Sequence, residues 1–245
     1  MAVYAIADLH LSTLASTDKS MEVFGRRWEG YTEKLKKNWE RLVTNDDTVI
    51  IPGDISWALS LEEAESDLKF LNSLPGKKIL AKGNHDFWWS TMHKHEIFFE
   101  KHGIDTISFL YNNAYRVENL IIAGTRGWYS DDDAKAAPDN TDFEKIINRE
   151  RLRLQASLQE AVRLKEQAPE CEIVAFTHFP VAFADKVCRE LLDVLTSYGV
   201  KRLYYGHIHG VYTTPACFIT EGVQMRIISA DYLDFTPLYI HEKTE

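Results

Sequence analysis

The sequence predicts an α/β fold, and three observations lead there. Short apolar runs at 2–7, 48–52, 78–82, 172–177 and 202–205 read as buried strands. Segments with helical spacing separate the first three runs and return at 141–167 and 186–197, an alternation that favours parallel strands joined by crossover helices. Each of the five runs also ends on Asp, Asn or His, at the strand end where open α/β sheets place their ligands.

Residues 2–7 form the first strand, with Asp8-Leu9-His10 as its exit. Residues 12–30 are polar and irregular and read as a loop near the site mouth. Residues 31–44 have helical spacing, with Leu35, Trp39 and Leu42 on one stripe, and Asn45-Asp46-Asp47 ends that helix. Strand 48–52 leads to Gly53-Asp54. Ser60 and Glu63 have the spacing of a capping box for a helix running to about Ser73, with Ala64, Leu68 and Leu71 inward. Pro75-Gly76 turns the chain into strand 78–82, which closes on Gly83-Asn84-His85-Asp86. Glycine there lets the chain leave in a conformation other residues avoid.

Phe87-Trp88-Trp89 precedes a helix to about Lys101. Runs at 107–110, 115–117 and 120–123 are separated by polar turns and read as antiparallel strands. Residues 125–140 read as a loop, with Asp131-Asp132-Asp133 solvated. A helix over 141–167, with Phe143, Ile147, Leu154, Leu158 and Ala161 or Val162 near one face, precedes strand 172–177 and His178. A helix at 186–197 precedes strand 202–205 and Gly206-His207-Ile208-His209. Stretches 216–220, 224–230 and 236–241 read as closing strands. No linker or repeat divides the chain, so one domain over 1–245 is expected.

With 45% hydrophobic and 27% charged residues, the composition is that of a globular protein. A net charge of −9 argues against broad electrostatic binding to nucleic acid, yet is compatible with a small phosphate ester held through metal ions. Cys171, Cys188 and Cys217 match no zinc or redox spacing and read as free thiols in a reducing cytoplasm. The N-terminus enters a strand directly, without a basic and then apolar leader. No apolar run approaches the roughly 20 residues of a membrane helix. A cytoplasmic protein with no membrane partner is expected.

Of nine histidines, His10, His85, His178, His207 and His209 lie at strand exits, whereas His93, His95, His102 and His241 are expected to face solvent. Together with Asp8, Asp54 and Asn84 the first five supply mixed nitrogen and oxygen donors. Such a set suits Mn, Fe, Zn, Ni or Co and is too rich in imidazole for Ca or Mg alone. Asp8 and His10, and His207 and His209, are spaced i and i+2, which places each pair on one face of an extended strand. So many candidate ligands exceed the needs of one ion, and two-metal sites recur in phosphate ester hydrolysis.

The ordered set Asp8-x-His10, Gly53-Asp54, Gly83-Asn84-His85-Asp86, His178 and Gly206-His207-x-His209 resembles the calcineurin-like metallophosphoesterase superfamily. The resemblance implies a four-layer α/β/β/α sandwich of two mixed sheets flanked by helices. It also implies two divalent transition-metal ions, Mn, Fe or Zn first among them. Asp8, His10 and His209 would bind one, Asn84, His178 and His207 the other, and Asp54 would bridge them. A metal-bound hydroxide would attack phosphorus while His85 stands near the leaving group.

One position departs from the protein phosphatases of that superfamily. Trp57 stands where they carry a second Asp that orients the catalytic His, which counts against a phosphoprotein phosphatase. Trp57, Trp88, Trp89 and Trp128 read first as packing, with Trp57 and Trp88 also candidates to stack on a substrate. Arg126 could clamp a phosphate or form a surface ion pair. The expected function is metal-dependent hydrolysis of a small phosphodiester, phosphomonoester or nucleotide. The competing reading is a scaffold of the same fold that has lost catalysis, but such proteins usually lack some ligands and none is missing here.

Overall fold

A computed structural model describes residues 1–13, 21–128 and 142–240. Asp131-Asp132-Asp133, most of the 125–140 loop, part of the 12–30 stretch, and His241 lie outside the described residues.

Two sheets form the centre. In the first, β1 (Val3–Ala5), β2 (Thr48–Pro52), β3 (Lys77–Ala81) and β4 (Ile107–Phe109) run parallel. In the second, β5 (Tyr115–Val117) lies antiparallel to β6 (Leu120–Thr125), and β6 runs parallel to β7 (Glu172–Thr177). Strands β8 (Ala182–Phe183) and β9 (Lys186–Val187) form a separate ribbon. Strands β10 (Arg202–Tyr205) and β12 (Val223–Ile227) continue the second sheet in parallel, and β11 (Cys217–Thr220) closes its edge antiparallel to β12. Finally β13 (Leu238–Tyr239) returns to the first sheet, antiparallel to β1. The helices are α1 (Tyr31–Leu42), α2 (Glu65–Ser73), α3 (Met92–His102), α4 (Phe143–Gln167) and α5 (Arg189–Ser197).

The two-residue period of a strand explains the layers. On β2, Val49 and Ile51 pack with Leu35 and Trp39 of α1 and Leu68 and Leu71 of α2, whereas Ile50 joins the core between the sheets. On β7, Ile173 and Ala175 meet Leu154 and Leu158 of α4 and Leu191 of α5, and Val174 and Phe176 face the first sheet. Central strands are therefore buried on both faces, which is why they read as unbroken apolar runs. The result is the expected four-layer α/β/β/α sandwich of mixed sheets. Among the described residues, no helix is long and apolar enough to cross a membrane.

Helix starts follow local chemistry. Thr91 and Asp142 cap α3 and α4, accepting the backbone N–H of Lys94 and Lys145. Ser60 accepts the Glu63 N–H at 3.2 Å, but the Glu63 carboxylate reaches Leu59 rather than Ser60. A turn then intervenes, and regular helix begins only at Glu65. Cys171, Cys188 and Cys217 are free thiols.

Four expectations need correction. The run at 107–109 does not pair antiparallel with its successors; α3 returns the chain as a crossover, so β4 lies parallel to β3 in the first sheet while β5 and β6 enter the second. Residues 186–187 belong to a ribbon, and the helix starts at Arg189. His95 does not face solvent. It is fully buried among Phe109, Trp89 and Trp88, at 4.5, 5.5 and 5.6 Å between ring centres. Its Nε2 accepts the Ser90 N–H, and burial pushes its pKa down to about 4, which keeps the ring neutral. His102 is also largely covered and pairs with Glu65 at 2.9 Å, whereas His93 is exposed as expected.

Lys78 on β3 is fully buried, its Nζ donating to the Leu74 carbonyl and to Thr106 Oγ1. Burial pushes its pKa down to about 8. The unfolded chain, with Lys near 10.4, then binds more protons above about pH 8, so this group makes stability rise with pH between about 8 and 10. Urea midpoints across that range should rise less for Lys78→Met than for wild type. Equal slopes would show that the ammonium is not perturbed in the folded state.

Candidate metal centre

All five strand exits meet at one end of the sandwich. After β1, the Asp8 N–H donates to the Gly53 carbonyl and the His10 N–H to the Asp54 carbonyl, so the exits of β1 and β2 run side by side. The His85 N–H donates to Asp54 Oδ1 at 2.8 Å, and the His207 N–H to both oxygens of Asp8, at 2.9 and 3.0 Å. Asp8 thereby ties an exit of the second sheet to the first. Asp8, His10, Asp54 and His207 all adopt positive φ, between 45° and 68°. For non-glycine residues this conformation costs roughly 1–3 kcal/mol each and clusters at functional sites. Gly83 is required for a different reason: a Cβ there would collide with Asp54 Oδ1 and the Asp54 backbone nitrogen.

The donor atoms converge. His10 Nε2 lies 3.2 Å from His209 Nε2 and 3.8 Å from Asp54 Oδ2. His178 Nε2 lies 3.4 Å from the same Asp54 oxygen and 2.6 Å from Asn84 Oδ1, which is also 3.0 Å from His207 Nδ1. Asp54 thus sits between one group containing His10 and His209 and another containing Asn84, His178 and His207. Asp8, His10 and His209 could hold one ion, and Asp8, Asp54 and His178 another, with ligand atoms within 4.8 Å in each group. Asp8 is common to both.

The electrostatics fit cations. Burial pushes the Asp8 carboxyl up to about 6, and burial with the charges of Asp86 and Asp8 pushes Asp54 up to about 9. Burial and the neighbouring imidazoles hold His10 and His178 well below the ordinary histidine value. Among the described residues, the ion-pair partners of Asp8 and Asp54 are histidines, with no lysine or arginine. Buried carboxylates and the convergent Nε2 atoms of His10 and His178, whose protonation burial disfavours, form a donor set that a divalent transition metal satisfies.

A family model, calcineurin-like phosphoesterase, matches residues 1–211. The chain belongs to the calcineurin-like phosphoesterase family. Among solved structures, phosphopantetheinyl hydrolase from Mycobacterium tuberculosis is similar at 15% identity and a TM-score of 0.55, over 99% of this chain and 96% of that one. A protein from Thermus thermophilus is similar at 8% identity and a TM-score of 0.55, over 94% and 89%. A protein of unknown function from Aquifex aeolicus is similar at 15% identity and a TM-score of 0.50, over 97% and 95%. At these identities the likeness shows the shared fold. No curated protein matches the chain. Membership in this family supports hydrolysis of phosphate esters with divalent metals as the coarse function.

Around the phosphoesterase site, a cleft of about 330 Å³ is lined by His10, Trp28, Trp57, His85, His209 and Tyr212 among others. Trp57 fills the place expected of a second Asp. It stacks on His10 at 4.9 Å and lies against His85 at 4.3 Å. Trp57 is therefore positioned at the cleft, but Trp88 is not among its lining: it is 2% exposed and packs on Trp89 and His95. Arg126 is mostly covered and lies over the Trp128 ring, 3.9 Å from Glu150.

Two residues were missed as parts of the site. Asp231 accepts from His209 Nδ1 at 2.9 Å, the Gly210 N–H at 3.1 Å and the Tyr212 hydroxyl at 3.0 Å. Burial pushes the His209 pKa down, but the bond to Asp231 and the charges of Asp8 and Asp231 outweigh it and hold it up. With Nδ1–H committed to Asp231, Nε2 is the atom left to face the site. The signal was legible: Ile227-Ile228-Ser229-Ala230-Asp231 is a sixth apolar run ending on an acid. The second is Asp86. It is fully buried and accepts the N–H groups of Asp54, Ile55, Ser56 and Gly83 and the Trp88 indole.

Asp86→Asn puts an NH₂ group among those five donors. The expected outcome is a loss of about 2–4 kcal/mol in chemical denaturation and weaker metal retention, although Asp86 is no ligand. Unchanged stability would show that these hydrogen bonds do not hold the exits.

Proposed function

We propose that the protein is a phosphate-ester hydrolase with a dinuclear metal centre, acting on a small phosphodiester, phosphomonoester or nucleotide. The observation that carries this reading is the position of Asp54 Oδ2 between His10 Nε2 and His178 Nε2. Asp8, His10 and His209 would hold one ion, and Asn84, His178 and His207 the other, with Asp54 shared between the two groups and the Asp8 carboxylate within reach of both. When bound, the ions acidify water and neutralise charge on the phosphoryl oxygens.

The chain's residues do the rest. Asp231 keeps the His209 ring in one tautomer and one orientation. Trp57 walls the cleft beside His85 and limits water around it. His85 lines the cleft with its backbone N–H fixed to Asp54 Oδ1 and its ring packed against Trp57. From there it donates a proton to the leaving oxygen as the P–O bond breaks.

Reconstitution with manganese, iron or zinc should give hydrolysis of bis-p-nitrophenyl phosphate or p-nitrophenyl phosphate that a chelator abolishes. His85→Asn should retain metal but lose about 10²–10⁴-fold in turnover of esters with poor, alkoxide-like leaving groups. The loss should be smaller for p-nitrophenyl esters, which need little protonation. Equal losses would contradict the acid role, and a protein inactive with every metal and ester would favour a scaffold.

A further inference from the structure

Beside the metal centre the acidic chain carries a concentrated positive cluster. Arg126 follows β6 as Lys82 follows β3, so both come from strand exits at the same end of the sandwich. Arg149 and Arg153 project from α4 onto the same place. One carboxylate, Glu150, lies among them, fully buried: Arg153 Nη1 is 2.8 Å from it, Arg149 Nε 3.5 Å and Arg126 Nη2 3.9 Å. Glu150 also accepts from the Thr125 hydroxyl at 2.7 Å. Burial and the charges of Arg126, Arg153 and Arg149 push the Lys82 pKa down, against the opposing charge of Asp86. Arg126 Nε is buried without a hydrogen-bond partner.

The cluster is tied to the site. The charge of Asp54 acts on Arg126 and that of Arg126 on His178, and the Arg126 carbonyl accepts the His178 and Phe179 N–H groups at 3.0 and 2.9 Å. Lys82 lies two residues before Asn84. The bonds from His178 and Phe179 to the Arg126 carbonyl put the cluster on the His178 side, and the lining of the cleft at His85 includes none of these four cations.

We infer that Lys82, Arg126, Arg149 and Arg153 form a subsite for a second phosphoryl group of the substrate, carried on the part that does not leave past His85. This rests on the proposed hydrolytic reading and narrows its substrate class to esters bearing a further phosphate. Among the described residues Glu150, with Asp86 acting on Lys82 and Asp54 on Arg126, opposes these four cations, and the positive charge left over is one that a phosphoryl group balances. Guanidinium groups also match phosphoryl oxygens in geometry.

The test separates this subsite from the metal chemistry. Inorganic phosphate and, separately, acetate are titrated into the metal-free full-length protein by calorimetry at low and high salt. Wild type should bind phosphate more tightly than acetate, and less tightly at high salt. Arg149→Ala, at a half-exposed side chain, should weaken phosphate binding about tenfold. Lys82→Met should act in the same direction without freeing Glu150. Absence of phosphate binding, equal binding of acetate, or unchanged binding in both variants would overturn the inference. In metal-loaded enzyme, Arg149→Ala should raise KM more for an ester with a second phosphate than for p-nitrophenyl phosphate, and an equal effect would also overturn it. Loss of all hydrolysis with phosphate binding intact would instead count against the hydrolytic reading.

Discussion

One buried carboxylate organises the first sheet's end of the site. Asp86 gathers the N–H groups of Asp54, Ile55, Ser56 and Gly83, so the exits of β2 and β3 are fastened to one side chain. Burial pushes that carboxyl's pKa up, and the hydrogen bonds oppose the shift. Everything nearer the chemistry depends on this fastening. It sets the Asp54 backbone in its left-handed conformation, brings the His85 N–H to Asp54 Oδ1, and leaves no room at Gly83 for a side chain. Asp8 plays the matching part between the sheets by accepting the His207 N–H.

The energetic character of the site follows from what these fastenings bury. Asp8 and Asp54 are nearly inaccessible and close to each other, faced by His10 and His178, whose pKa burial pushes down, and by His209, whose pKa Asp231 and Asp8 hold up. Without a cation such carboxylates favour their protonated forms, which is the direction of both shifts. A divalent ion reverses that preference, so metal binding and deprotonation are coupled. The strained backbone at four site residues is sustained by the hydrogen bonds between the exits and by the apolar layers beneath them.

Much of this was legible because the signals were local. Each strand is short, apolar and followed at once by its functional side chain, so spacing alone found the exits at Asp8, Asp54, Asn84, His178 and His207. What escaped was set by tertiary packing. The three-residue β4 carries no mark of its partner, and only the crossover through α3 decides that it joins β3. His95 looks like a polar helix residue, yet the aromatic side chains of Trp88, Trp89 and Phe109 cover it. Trp88 follows the ligands in sequence but turns into the core to meet Asp86. The cations around Glu150 come from the exit of β6 and from α4, and nothing in their separate contexts shows that they meet.

The central claim is that Asp54 lies between two metal ions at the meeting point of the two sheets. The most direct measurement is anomalous scattering near the manganese absorption edge from crystals grown with manganese. Two peaks per chain should flank the Asp54 carboxylate, one within coordination reach of His10 and His209 and the other of Asn84, His178 and His207. A single peak at saturating metal, or two peaks that do not share Asp54, would contradict the account.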